Sequence, residues 1–232
     1  MTNARSDADA RRLRDCLRLL AITDGRGDAV RIERQVEAAI QGGVRAVQVR
    51  EPLLGSGALA TLCSRLSVLL TAVDGLLFVN DRADLVASGD AHGVQLPSRG
   101  LDVERARRVV GPGAPIGVSV HDSEQLAQGT GADFVLLAPV FATASKPAAI
   151  PLGIERARDL TRSSGIPMVW LGGIDLDSLR QLGRGLPPHR DPHDSGLPVG
   201  FASLSAWSGA EREVRERCRA LVDTIGAILA RP

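Results

Sequence analysis

The sequence predicts a single (β/α)8 TIM barrel, an α/β fold in which eight parallel strands alternate with helices. The chain has 232 residues, and barrels of this class commonly use about 200–250 residues as one domain. Short apolar runs alternate eight times with longer segments of helical period. A doubly wound open sheet of eight strands is compatible with the same alternation and is kept as the alternative.

Eight runs rich in Val, Ile, Leu and Ala are predicted to be strands. Their nearly continuous apolar character is typical of parallel strands that are covered on both faces. In chain order they are Leu17–Ile22, Val44–Val49, Leu76–Val79, Gly93–Leu96, Ile116–Val120, Phe134–Leu137, Met168–Leu171 and Gly200–Leu204.

The segments between these runs repeat apolar residues at helical spacing. In Val30–Ile40, for example, Ile32, Val36 and Ala39 fall at positions i, i+4 and i+7. Further helices are predicted at Leu59–Leu70, Val103–Val110, Ile154–Leu160, Asp175–Leu182 and Val214–Leu229.

The chain divides into a charged leader, residues 1–16, and one barrel domain, residues 17–232. Within the domain, residues 183–198 are dense in Pro, Gly, Asp and His, which predicts an extended loop. Two histidines of this loop, His189 and His193, superficially resemble a metal-binding tract. The prolines around them argue against a preorganised site, so no metal is predicted there.

Composition limits the classes of function. The formal net charge is +1 at pH 7 with acids and bases interspersed, so nothing indicates binding to nucleic acid. Cys16, Cys63 and Cys218 are scattered, which predicts reduced structural thiols. The N-terminus lacks the apolar region of a signal peptide, and no apolar run approaches the ~20 residues of a membrane span. We therefore expect a cytoplasmic protein.

Polar side chains lie at or just after the ends of the predicted strands. In a TIM barrel these positions meet at one mouth, where the functional site lies. The candidate substrate-binding residues are Gln48, Arg50, Asn80, Ser119, Thr143, Ser145 and Lys146. Lys146 is the single lysine of the chain, and it lies in the loop expected to cover the mouth.

Two of these side chains, Gln48 and Arg50, fall on the same face of strand two because side chains alternate along a strand. An inward Arg beside a Gln suits a planar carboxylate or a diphosphate. The alternative is a structural ion pair of Arg50 with Glu51 or Asp24. For Asn80 the alternative is that Asp81 or Asn80 caps the helix that follows strand three, a role compatible with ligand binding.

His121, directly after predicted strand five, is the candidate catalytic residue. Histidine side chains titrate near pH 6.5, so they give and take protons at neutral pH. We interpret His121 as a general acid–base. The alternative is a surface or N-cap histidine before a helix that starts near Asp122.

A pair of glycines after strand seven, Gly172 and Gly173, predicts a phosphate site. Their backbone N–H groups, together with the dipole of the next helix, suit an anion, and barrels often use the loops after strands seven and eight for phosphate. Strand eight supplies Ser205 and Ala206 as partners. The alternative is that the glycines only turn the chain.

Eight segments from about Leu19 to Ala206 together resemble the thiamin-phosphate synthase / TenI superfamily. They occur in order and at barrel spacing, which makes the set specific although each piece alone is weak. The segments are LLAITD, VQVRE (47–51), VNDRADL (79–85), AHGVQLP (91–97), IGVSVH (116–121), ADFVLLAPVFATASK (132–146), WLGGI (170–174) and GFASLSA (200–206).

One activity that the resemblance implies is thiamin-phosphate synthesis. Such synthases join a hydroxymethylpyrimidine diphosphate to thiazole phosphate and release pyrophosphate, with Mg²⁺ at the diphosphate. Their Q-x-R-x-K pattern resembles residues 48–52, but Pro52 stands in place of the lysine. Gly100 stands where a magnesium-binding carboxylate is expected, and Asp102 is the nearest substitute.

The other activity, which we favour at this point, is that of the TenI-like thiazole tautomerases, which need no metal or cofactor. The resemblance makes His121 the acid–base that aromatises a thiazole phosphate carboxylate tautomer. Phosphate would lie at Gly172, Gly173, Ser205 and Ala206, with Gln48 and Arg50 facing the ring or its carboxylate.

Three further readings stay open beside the tautomerase. They are the Mg²⁺-dependent synthase, a non-catalytic regulator that binds thiazole phosphate, and a phosphosugar isomerase on the same fold. An isomerase would need a carboxylate base near His121, for which Glu51 and Asp81 are the candidates. The resemblance also implies self-association into a homo-oligomer.

Overall fold

The computed structural model describes residues 6–143, 148–185, 196–207 and 209–230. Its strands are parallel and pair in chain order from β1 to β8, and β8 pairs with β1 to close the barrel. The prediction of a (β/α)8 barrel is therefore confirmed, and the open doubly wound sheet is wrong.

Each strand is followed by a helix on the outside of the barrel. The strands are β1 (Leu19–Ile22), β2 (Ala46–Val49), β3 (Leu76–Asn80), β4 (Gly93–Leu96), β5 (Ile116–Val120), β6 (Phe134–Leu137), β7 (Met168–Leu171) and β8 (Gly200–Ser203). The helices are α1 (Asp7–Cys16), α2 (Ala29–Gln41), α3 (Ser56–Thr71), α4 (Ala83–Ala87), α5 (Val103–Val110), α6 (Ser123–Gln128), α7 (Ile154–Ser163), α8 (Leu176–Gly185) and α9 (Glu211–Leu229), with a short 3-10 helix at Ser205–Trp207.

Alternation along the strands separates two apolar layers. Side chains such as Leu20, Phe78 and Phe134 fill the inside of the barrel, where the rings of Phe78 and Phe134 meet edge to face with centroids 5.2 Å apart. Residues at the intervening positions pack between the strands and the outer helices. Parallel strands covered on both faces are expected to be apolar throughout.

Helix α1 covers the floor of the barrel, the end at which the strands begin. Ser6 caps the helix by accepting a hydrogen bond from the Asp9 N–H. At the other end Leu13, Cys16 and Leu17 join the apolar cluster inside the barrel. Leu17 therefore ends α1 and does not begin β1, which corrects the predicted strand Leu17–Ile22.

Some features predicted from the sequence can be compared with the described residues only in part. Helix α8 extends to Gly185, so it occupies the start of the predicted loop 183–198, and residues 186–195 lie outside the described part. The three cysteines are buried and unpaired, and burial raises the pKa of the Cys63 and Cys218 thiols to about 12. No helix in the described ranges is long and apolar enough to span a membrane.

Candidate active site

Four polar side chains from neighbouring strands β2 to β5 form an arc inside the mouth of the barrel. The Gln48 amide donates to Asn80 Oδ1 at 3.2 Å, Asn80 lies opposite Gln95 in the sheet register, and the Gln95 amide donates to Ser119 Oγ at 3.2 Å. Gln48, Asn80 and Ser119 were predicted as site residues, and the structure brings them together. Asn80 is not a helix cap, since the N-cap of α4 is Arg82.

Two oxygens of this arc are buried and have no hydrogen-bond partner within the described residues, Gln48 Oε1 and Gln95 Oε1. The two side chains are only 3% and 1% exposed. A buried polar atom left without a partner costs about 1–3 kcal/mol, so such atoms are expected where a ligand or an ordered water supplies a donor. These two oxygens therefore indicate that the mouth holds a ligand or a water with a hydrogen-bond donor.

Gln95 was not among the residues predicted to bind substrate. It was noted only as a polar residue at the end of a strand, but its position on β4 is level with Asn80 on β3. Its Oε1 points at Gly117 of β5, where a Cβ would collide with it. The signal in the sequence was Gly117, which leaves space for the Gln95 side chain. This signal can be interpreted only when the register that places Gln95 opposite Gly117 is known.

His121 follows β5 with its ring fixed at one nitrogen. The distance from Nδ1 to the carbonyl oxygen of Ala138 is 2.5 Å. Because a carbonyl only accepts, the neutral ring carries its proton on Nδ1 and leaves Nε2 free to accept one. Asp122, not His121, caps α6 by accepting from the Gln125 N–H at 2.8 Å, so the N-cap alternative for His121 is wrong.

Arg50 is exposed at the rim of the mouth, and the acids proposed as its structural partners are bonded elsewhere. The Glu51 carboxylate accepts from the N–H groups of Gly25 and Gly27, at 3.1 Å and 2.7 Å. Asp24 lies 2.7 Å from Arg31 Nη2. Among the described residues no ion pair joins Arg50 to Glu51 or Asp24, so the structural alternative for Arg50 is wrong.

Asp24 is held ionised by its neighbours. Burial acts to raise its pKa, but the hydrogen bond and the charge of Arg31 outweigh burial and hold the pKa below its ordinary value. The loop after β1 is therefore fixed by two carboxylates, Asp24 and Glu51. Glu51 is 4% exposed and bound on both oxygens, which removes it as the carboxylate base of a phosphosugar isomerase.

The donor set for magnesium that the resemblance implies is incomplete. Asp81 lies at the mouth, and a Cβ on Gly100 would stand 2.9 Å from its Oδ1, so a carboxylate at position 100 would adjoin Asp81. Asp102 does not replace it, because its Oδ1 caps α5 by accepting from the Arg105 N–H at 2.7 Å. Within the described ranges no group of three or more His, Cys, Asp or Glu could hold a metal.

The predicted phosphate residues lie in two loops that are joined by hydrogen bonds. Gly172 and Gly173 have φ values of +97° and +65°, a conformation that favours glycine. The hydroxyls of Ser203 and Ser205 both contact the carbonyl oxygen of Ile174, at 2.9 Å and 3.2 Å. The loops after β7 and β8 therefore form one corner of the mouth, which we call the phosphate corner (residues 172–174 and 203–207).

Two details refine the phosphate prediction. Close packing also requires glycine at both positions, since a Cβ on Gly172 would stand 2.7 Å from Pro139 Cα and one on Gly173 would collide with the Ala142 carbonyl oxygen. The start of α8 is occupied by Asp175, whose Oδ1 accepts from the Ser178 N–H at 2.8 Å. An anion would therefore rely on the loop backbone more than on the α8 dipole.

The remaining predicted residues are only partly accessible to comparison. In the phosphate corner Ser205 is exposed and Ala206 is buried, and in the loop after β6 Thr143 is half-buried. Ser145 and Lys146 lie outside the described residues, as do His189 and His193. The ligand roles of Ser205, Ala206, Thr143, Ser145 and Lys146 stay predictions, and so does the absence of a metal at His189 and His193.

Comparison with known proteins decides the family. A family model described as thiamine monophosphate synthase matches residues 19–184. The chain belongs to this family. It is 33% identical over 220 residues to the thiamine-phosphate synthase of Pyrococcus furiosus, covering 92% of this chain and 98% of that protein. It is 38% identical over 173 residues to a thiamine-phosphate synthase of Synechococcus sp. (strain CC9311), but spans only 47% of that longer protein.

Solved structures support the same grouping. The thiamine phosphate pyrophosphorylase from Pyrococcus furiosus matches with a TM-score of 0.78 and 29% identity, over 94% of this chain and 100% of that one. A KDPGal structure matches with a TM-score of 0.63 at 16% identity, which supports the barrel fold alone. The superfamily inferred from the eight segments is confirmed. The named relatives are synthases, so they favour the synthase reading over the TenI-like branch.

Proposed function

We propose that the barrel mouth binds a thiazole phosphate and isomerises it by a proton shift, with His121 as the general acid–base. The observation that supports this best is the contact of His121 Nδ1 with the Ala138 carbonyl oxygen. It fixes the ring orientation and leaves Nε2 as a proton acceptor facing away from that bond. General acid–base catalysis of this kind typically contributes ~10²–10⁴-fold to a rate.

The chemistry is a redistribution of one proton and of double bonds. Nε2 of His121 removes a proton from the non-aromatic thiazole tautomer, and the imidazolium returns a proton at another ring-system position as the ring becomes aromatic. Nothing is oxidised, and no group leaves. The phosphate corner would hold the phosphate, while Gln48 and Arg50 would face the ring or its carboxylate.

Magnesium does not fit the residues that are present. Gly100 supplies no carboxylate beside Asp81, and Asp102 is bonded to the start of α5. Pro52 removes a cation that the synthase pattern would place near a diphosphate. The proposed proton shift includes no step that depends on the metal, which is why we prefer it for this chain.

Thiamin-phosphate synthesis is the second candidate, and a specific observation favours it. The curated relatives, including one matched over 98% of its length, are named thiamine-phosphate synthases. Gln48 and Arg50 also remain in place from the synthase pattern. A non-catalytic binder of thiazole phosphate would use the same phosphate corner and would catalyse neither reaction.

One pair of assays on the wild-type protein separates these functions. Thiazole tautomer phosphate in EDTA tests the proton shift, and Mg²⁺ with pyrimidine diphosphate and thiazole phosphate tests pyrophosphate release. We expect turnover in the first assay that EDTA does not reduce. Pyrophosphate release with no turnover in EDTA would make the chain a synthase. Thermal stabilisation by thiazole phosphate without turnover in either assay would make it a binder.

A further inference from the structure

Gln35 is a buried polar residue on α2 that contacts the loop after β8. It is only 4% exposed. Its Nε2 donates to the carbonyl oxygens of Trp207, at 3.1 Å, and Gly209, at 3.2 Å, while its Oε1 accepts from Arg31 Nη1 at 2.8 Å. Both amide hydrogens and one acceptor site are thus used, and none of these bonds could be made by an apolar side chain of the same size.

These hydrogen bonds extend across the junction between β8 and β1, to the loop after β1. Arg31 also contacts Asp24 Oδ1 through Nη2, at 2.7 Å, and Asp24 is the second residue after β1, in the loop at the mouth. The series Asp24–Arg31–Gln35 therefore connects the loop after β1 to the loop after β8. In the same loop Ser205 is bonded to the carbonyl oxygen of Ile174 after β7.

We propose that Gln35 is a positioning residue for phosphate binding, which it supports by fixing the backbone of the loop after β8. The proposal rests on the proposed function in that the phosphate corner holds the phosphate of the ligand. Gln35 fixes this loop from the α2 side, and Ser203 and Ser205 fix it from the β7 side. A loop that is ordered before the ligand arrives loses less entropy on binding, and so binds more tightly.

Packing alone does not account for a glutamine at this position. Helices α2 and α9 already approach closely at Gly42, where a Cβ would stand 2.6 Å from the Arg215 carbonyl oxygen and 2.8 Å from Cys218 Cβ. Val36 and Ala39 of α2 are fully buried in the apolar layer. A further apolar side chain would suffice for contact, whereas burying an amide is unfavourable unless its hydrogen bonds are made.

The test compares Gln35→Met with Gln41→Met, a matched control that is exposed at the end of the same helix. Calorimetry measures the binding of thiazole phosphate, of inorganic phosphate and of the unphosphorylated thiazole alcohol. We expect Gln35→Met to weaken both phosphate-bearing ligands by roughly tenfold, as loss of about 1–2 hydrogen bonds implies. Binding of the alcohol should not change, and KM should rise more than kcat falls.

Equal phosphate binding by Gln35→Met and Gln41→Met would overturn the proposal, and so would an equal loss for the alcohol. If Gln35→Met does not fold, Gln35→Glu keeps the Arg31 contact but has no donor for the two carbonyls, and the same loss is expected. Failure of the proposed function is seen separately. A wild-type protein that binds phosphate but isomerises nothing keeps this proposal, whereas one that binds neither phosphate-bearing ligand contradicts it.

Discussion

At the floor of the barrel polar groups are paired and the interior is apolar, whereas at the mouth buried polar atoms are left without partners. On the floor side Asp133 Oδ2 accepts from Arg107 and from the Ile116 N–H, both at 2.7 Å, and Leu17 of the α1 end packs inside. At the mouth Gln48 Oε1 and Gln95 Oε1 are buried without partners within the described residues. The same strands therefore begin in a region built for stability and end in one built for a ligand.

This difference implies that substitutions at the two ends have separable effects. A change on the floor should lower the free energy of unfolding and leave ligand binding intact. A change at the mouth should weaken binding or turnover at little cost in stability, because sites for ligands retain atoms that the empty protein does not satisfy. Three substitutions test this comparison, given in order of expected effect.

Leu17→Ala on the floor has the largest expected effect on stability. Leu17 is fully buried in the apolar cluster inside the barrel, and truncating a buried Leu to Ala typically costs about 2–5 kcal/mol. Urea unfolding should show this loss, and calorimetry should show unchanged affinity for thiazole phosphate. Leu17→Val, which leaves a smaller cavity, should lose less. A strong loss of affinity with little loss of stability would contradict the comparison.

Gln48→Met at the mouth should behave in the opposite way. The substitution removes a buried oxygen without a partner, and half-buried Asn80 can exchange its lost bond for water. We expect the free energy of unfolding to change by less than about 1 kcal/mol, while affinity for thiazole phosphate falls. Urea unfolding and calorimetry measure both quantities. A loss of stability comparable to that of Leu17→Ala would mean that Gln48 is structural.

The smallest expected effect is the pH dependence contributed by His92, where β3 and β4 begin. Burial and the Arg12 charge lower the pKa of His92, and its Nδ1 accepts from the Leu77 N–H at 2.9 Å. The unfolded chain therefore binds the proton more readily, so this contribution to stability is complete above about pH 6.5 and is lost as pH falls below that value. His92→Asn keeps an acceptor that does not titrate.

Unfolding measured between pH 5 and 8 should therefore show a smaller slope for His92→Asn than for the wild-type protein. The rate of turnover at saturating ligand should not differ between them, since His92 lies at the floor. An unchanged slope would show that His92 is not among the groups that set the pH dependence of stability.

The strands were more predictable from the sequence than the contacts between them. The bounds of β4, β5, β6 and β7 agree with the predicted runs, because a buried parallel strand is apolar throughout. Leu17 was placed in a strand because apolar character alone does not distinguish the last residue of a helix from the first of a strand. At the mouth, the positions of Gln48, Asn80 and Ser119 at the ends of barrel strands were enough to predict that they would lie together.

What the sequence could not supply was the pairing of distant residues. Gln35 was passed over because it lies on a helix, and its partner Trp207 is 172 positions away along the chain. Glu51 was a candidate partner for Arg50, and its actual partners Gly25 and Gly27 became evident only from the geometry of the loop. Register and loop conformation determine such pairs, and neither is encoded in local periodicity.

The proton shift at His121 is tested most directly by the rate at which the aromatic thiazole product forms from the tautomer phosphate, measured in EDTA. Wild-type protein and His121→Ala are compared after urea unfolding has shown that both are folded. The account predicts rapid product formation by the wild-type protein and a rate lower by ~10²–10⁴-fold in His121→Ala. Equal rates for both proteins, or no product formation by either above the uncatalysed rate, would contradict it.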